Sequence, residues 1–92
     1  MGGLKWETAE EMNEALAKRL QSIRKRRGLS QKELSERSGV SYGSLKRFES
    51  SGQISLIALT RLAIALNCGD EIRKLFTDVG YGSIEEVIRE QK

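Results

Sequence analysis

The 92-residue chain carries a net charge of +3, with 38% hydrophobic and 32% charged residues. That describes one small globular domain, near the lower limit for folding on a single core and without an apolar run long enough for a signal peptide or membrane helix. One cysteine and no histidine exclude a disulfide framework and deny a zinc-type site its ligands, so neither metal nor cofactor is expected and a reducing, cytoplasmic setting is.

Met1-Gly2-Gly3 opens as a myristoylation signal would, but Trp6 stands where Ser or Thr is required. Residues 1–7 are therefore expected to be an N-terminal extension. Trp6 fits equally a terminal aromatic folded back onto the core and an anchor for a partner. Thr8 and Glu11 form a capping box, which predicts a first helix from about residue 7 or 8 to Arg27. Met12, Leu16, Leu20 and Ile23 recur along it at steps of four, four and three, as an amphipathic helix requires. Gly28 ends it, with Leu29 placed for a Schellman contact.

Ser30 and Glu33 form a second capping box, with Leu29 and Leu34 as its hydrophobic staple. They predict a helix over 31–38. The tight Ser38-Gly39-Val40-Ser41 turn follows. Ser41 then caps a helix over about 42–50, with Val40 and Leu45 as the staple pair. Two capped helices meeting at a glycine-containing turn form a helix-turn-helix, which sets its second helix into the DNA major groove. Counted from Gln31, the fifth residue Ser35 is small where the helices cross. The ninth, Gly39, suits a left-handed backbone, and the fifteenth, Leu45, is the apolar anchor of the second helix.

Ser51 to Ile54 reads as a loop, and Ser55 caps a fourth helix at about 56–66. Its run LIALTRLAIAL is apolar on most faces, which predicts a place at the centre of the core. Asn67-Cys68-Gly69 breaks it, and a short fifth helix is expected from Asp70 to about Phe76. Cys68 reads as an inert small residue near a helix end. After a loop to Gly82, Ser83 and Glu86 form another capping box for a terminal helix. The narrow stripe of Ile84, Val87 and Ile88 suits either closure of the monomer core or a seam between subunits. Charge is segregated: residues 18–49 hold ten Lys and Arg against three Glu, while 1–17 and 50–92 are net acidic. A basic middle between acidic flanks is the footprint of a nucleic-acid binder. Lys25, Arg26 and Arg27 fit best as cations complementing a helix C-terminus, with a DNA-facing patch as the second reading.

Residues 20–66, LQSIRKRRGLSQKELSERSGVSYGSLKRFESSGQISLIALTRLAIAL, resemble the helix-turn-helix of the XRE family, the phage repressor and Cro type. The resemblance rests on Arg24, Gly28-Leu29-Ser30-Gln31, Glu33-Leu34, Ser38-Gly39-Val40-Ser41, Phe48-Glu49 and the Leu-rich fourth helix. It implies an all-α, five- to six-helix, lambda-repressor-like fold. The division would be an N-terminal extension at 1–7, the domain at 8–76, and a C-terminal loop and helix at 77–92. By the same resemblance Gln31 would clamp a phosphate, and Tyr42, Gly43, Ser44 and Arg47 would face bases or nearby phosphates; Ser41, a helix cap first, is counted with the DNA-binding surface. Arg24 and Glu49 would form a structural ion pair, and the loop with Gln53 and Ser55 would grip the DNA backbone. The tail LFTDVGYGSIEEVIREQK is similar to the ends of bacterial members encoded beside HipA-type kinase toxins.

Helical spacing gives these roles a physical basis. Residues 42, 43, 46 and 47 point away from the face buried through Leu45 and Phe48. Arg47 has the planar fork that bonds guanine O6 and N7. Tyr42 suits a thymine methyl or a phosphate, and Lys46 a phosphate. Gly43 reads no base but permits close approach to the duplex, so operator shape is expected to count. The function expected is that of a sequence-specific, double-stranded-DNA-binding regulator, a homodimeric repressor. The alternative is an antitoxin that binds a partner toxin and regulates its own operon. No Gly-rich phosphate loop and no nucleophile beside a base occur, so an enzyme is not expected.

Overall fold

A computed structural model describes residues 6–91, and among these the chain is all-helical. The opening Met1-Gly2-Gly3 and most of the expected extension lie outside the described residues. Six helices follow in order: α1 (Ala9–Arg26), α2 (Gln31–Ser38), α3 (Tyr42–Ser51), α4 (Leu56–Ala65), α5 (Gly69–Lys74) and α6 (Ile84–Gln91).

Local chemistry sets the boundaries. Thr8 and Ser30 make complete capping boxes with Glu11 and Glu33. Ser41 and Ser55 accept the N–H groups of Ser44 and Ala58. At the end of α1, Gly28 is left-handed (φ +71°). The Leu29 N–H returns to the Arg24 carbonyl and the Gly28 N–H to that of Lys25, which is the Schellman pattern. Asn67 (φ +60°) ends α4 in the same way, with the Cys68 N–H on the Ala63 carbonyl at 2.7 Å. Ser83 accepts the Glu86 N–H at 3.3 Å.

The core comprises Ala17 and Leu20 of α1, Leu29, Leu34 of α2, Val40, Leu45 and Phe48 of α3, and Leu62 with Leu66 at the end of α4. α3 packs on α1 and α2, and α4 packs on α2 and α5. Arg27 donates from Nε to the Leu66 carbonyl at 2.6 Å, tying the end of α1 to the end of α4. It thus serves a carbonyl other than those of its own helix.

Several expectations change. α4 does not run through the centre of the core. Leu62 and Leu66 are buried, but no described helix covers its outer side, so Ile57 and Ile64 are 58% and 62% exposed. Met12 lies on the surface because the α1 seam runs through Ala17, Leu20 and Arg24. α5 stops at Lys74 rather than near Phe76, which takes a positive φ of +67° and stands in solvent. Trp6 is exposed and not folded back. Ile84 and Ile88 are exposed, so α6 does not close the core.

Candidate nucleic-acid interface

The turn between α2 and α3 is locked by its own side chains. Gly39 is left-handed at φ +76° and its N–H meets the Ser35 carbonyl at 3.0 Å. Ser35 Oγ donates to the Val40 carbonyl at 2.6 Å, and the Val40 N–H donates to Ser38 Oγ at 3.1 Å. Ser35 therefore does more than stay small where the helices cross. Its hydroxyl holds the turn that aims α3.

Leu45 and Phe48 seat α3 on the core, both essentially without solvent exposure. Tyr42, Gly43, Ser44, Lys46 and Arg47 consequently share the open side. Gly43 has a negative φ, and an added Cβ would meet nothing within 4 Å. The fold itself does not demand a glycine there. Ser41 Oγ donates to Ser44 Oγ at 2.9 Å, so both hydroxyls are part of the cap network. Arg47 donates from Nη2 to Gln53 Oε1. With Ser44, Ile54, Ser55 and Ala58, these two line a cleft of about 320 Å³ between α3 and the start of α4. The cleft brings together four of the expected contact residues: Ser44, Arg47, Gln53 and Ser55.

Behind this surface lies a buried polar hub. Arg24 donates from Nε to Glu49 Oε2 at 2.7 Å and from Nη2 to Oε1 at 2.9 Å. Its Nη1 reaches the Leu29 carbonyl at 2.7 Å. Glu49 Oε1 also accepts from the side-chain amides of Gln31 at 2.8 Å and Gln21 at 3.1 Å. No buried side-chain nitrogen or oxygen among the described residues lacks a partner. Burial pushes the Glu49 carboxyl up, but hydrogen bonds from Arg24, Gln31 and Gln21 and the Arg24 charge outweigh it and hold the group below 4.5. Gln31 thus has one amide hydrogen committed to Glu49 and one left for the surface. Its backbone N–H lies in the first turn of α2, without a partner in its own helix.

Two contributors were not legible in the sequence pattern. Gln21 joins the hub from α1, one turn before Arg24. Lys32, in the first turn of α2, places its ammonium 5.8 Å from the centre of the Tyr42 ring, and Lys46 places its own at 4.6 Å. A lysine in a helix's first turn, against the dipole, was the available signal.

A family model described as helix-turn-helix matches residues 20–72, more than half of the chain. No curated protein matches it. No helix among the described residues is long and apolar enough to cross a membrane.

Proposed function

From the premise that the chain belongs to the XRE family of helix-turn-helix proteins and is a DNA-binding transcriptional regulator, we propose that it acts as a homodimeric, cytoplasmic repressor. One observation carries the reading. α3 is anchored through Leu45, Phe48 and Glu49 while Tyr42, Lys46 and Arg47 share its free side. In the major groove Arg47 meets a guanine edge, and Gln53 orients its fork. Gln31 clamps a phosphate through its remaining amide hydrogen and backbone N–H, held in place by Glu49. Ser41, Ser44 and Ser55 lie along the same surface within reach of the backbone. The absence of a side chain at Gly43 lets the duplex come close, and Arg24 holds the scaffold through Glu49.

Two-fold pairing follows from half-sites one helical turn apart. The uncovered outer side of α4, with Ile57 and Ile64, supports such pairing. Promoter occupancy is then the means of repression. About eight neutralised phosphates per dimer would give a log–log salt slope near −7.

Selection of bound duplexes from a random pool, with mass measurement of the complex, tests the reading. The expected result is a two-fold-related sequence held by two chains. Enrichment of no sequence, or a complex with one chain, rejects it. Within the selected site, Arg47→Ala is expected to lose about 1–3 kcal/mol of discrimination at one base pair per half-site. Gln31→Ala is expected to weaken all sequences about equally. Competition binding against single-base variants distinguishes the two patterns.

A second reading is an antitoxin that also binds a kinase toxin of the HipA type. Leu75, Phe76, Val79, Tyr81, Ile84 and Ile88 are all exposed, and this apolar surface after α5 favours a protein partner. Co-purification of a larger protein from the native host supports it. A solitary gene and a partner-free dimer count against it.

A further inference from the structure

We propose that Lys32 of α2 and Lys46 of α3 form one two-cation clamp for DNA phosphates, with Tyr42 as the pedestal that holds both rather than as a reader of bases. The inference rests on the DNA-binding reading above and adds Lys32 to it.

Three observations converge on Lys32. It is the only basic residue in the first turn of any described helix, where α2, like α1, α5 and α6, also carries an acidic residue (Glu33). A cation there opposes the positive end of the helix dipole. Glu36, one turn along, offers an i,i+4 ion pair, yet the ion pairs among the described residues are Arg24–Glu49 and Arg73–Asp70. The Lys32 ammonium is turned instead to the Tyr42 ring, where Lys46 already sits.

The negative face of an aromatic ring attracts cations, and lysine stems cover apolar surface while their charged heads stay in water. Tyr42 is accordingly only 37% exposed although it opens α3. Two ammoniums drawn to one ring repel each other, and no carboxylate pairs with either among the described residues. A polyanion laid across them relieves that repulsion. Lys32 directly follows Gln31, so the clamp spans both helices of the motif and tracks a phosphate backbone rather than a base edge.

The test is fluorescence anisotropy with a labelled 30-base-pair duplex of mixed sequence, titrated at several salt concentrations. Lys32→Ala and Lys46→Ala are each expected to flatten the log–log slope by about 0.9 per bound domain. Lys74→Ala, on α5, is expected to leave it unchanged. Tyr42→Phe keeps the ring and provides the reference background for the lysine changes. In a Tyr42→Leu background, Lys32→Ala is expected to cost less than half of what it costs beside Phe. Thermal melts of each variant confirm that folded protein is being compared. A wild-type slope in Lys32→Ala, or an equal cost of that change beside Phe and Leu, overturns the clamp. A wild-type protein that binds the duplex without salt dependence overturns the DNA-binding reading beneath it.

Discussion

Replacing Gly52 with alanine is expected to lower stability by about 2–5 kcal/mol, the largest effect of a methyl added at any glycine among the described residues. Gly52 ends α3 at φ +81°, where a side chain costs about 1–2 kcal/mol. The position is also closed. A Cβ would stand 2.7 Å from the Asn13 carbonyl carbon and 2.9 Å from both its oxygen and the Glu14 nitrogen. Those are backbone atoms of α1 and cannot swing aside, so overpacking adds about 1–3 kcal/mol. Small domains have only about 5–15 kcal/mol in total.

Gly39→Ala supplies the control. Its φ is nearly the same, +76°, but nothing lies within 4 Å of the added carbon. Only the backbone cost of about 1–2 kcal/mol is expected there. Urea unfolding of both variants checks the difference. Equal losses would mean that α1 does not approach Gly52 as closely as the structure has it. The consequence reaches the interface, because Gly52 directs the chain from α3 into Gln53, the partner of Arg47.

Glu49→Ala is expected to cost about 3–5 kcal/mol, the typical loss when one member of a buried ion pair is removed. Arg24 would remain buried with its charge uncompensated, and the amides of Gln21 and Gln31 would lose their acceptor. Duplex affinity is expected to fall as well, even at temperatures where the variant stays folded, because Gln31 is no longer oriented. Glu49→Gln retains an acceptor and is expected to lose less.

The same hub sets an acid limit. The Glu49 carboxyl is held below the ordinary glutamate value when folded and returns toward that value when unfolded. As pH falls, the unfolded chain therefore takes up the proton first. The stabilisation is fully present above about pH 4.5 and disappears as pH drops through the folded value. Glu33, hydrogen-bonded to the Ser30 backbone and hydroxyl, is also lowered and acts in the same window. Urea unfolding across pH 3–7 is expected to show wild-type stability falling below about pH 4.5, and a shallower fall in Glu49→Ala. Parallel acid profiles would show that Glu49 is not the group responsible.

The helix-turn-helix was legible in the sequence because its determinants are local. Ser30, Glu33, Gly39 and Ser41 act within four residues of themselves, and Leu34, Val40 and Leu45 follow from helical spacing. What escaped depends on distant parts of the chain. Gly52 looked like a loop glycine because Asn13, its neighbour in space, is far away in sequence. Glu49 reads as the partner of Arg24 alone because Gln21 and Gln31 reach it only once α1 and α2 are both packed against α3. Lys32 reaches Tyr42 only once the turn folds α2 against α3. The composition of α4 suggested burial on all sides. Burial needs elements on all sides, and the described residues supply them on one, so Ile57 and Ile64 remain open for a second surface. α6 likewise has its expected stripe, but Ile84 and Ile88 on it stay exposed.

Methylation interference tests the central claim, that α3 lies in the major groove, most directly. Dimethyl sulfate marks guanine at N7, which faces the major groove, and adenine at N3, which faces the minor groove. On a duplex selected for binding, N7 methylation of at least one guanine per half-site is expected to abolish the complex, while N3 methylation there has little effect. In Arg47→Ala that interference is expected to fade. Interference confined to adenine N3, or none at any guanine, would contradict the placement of α3.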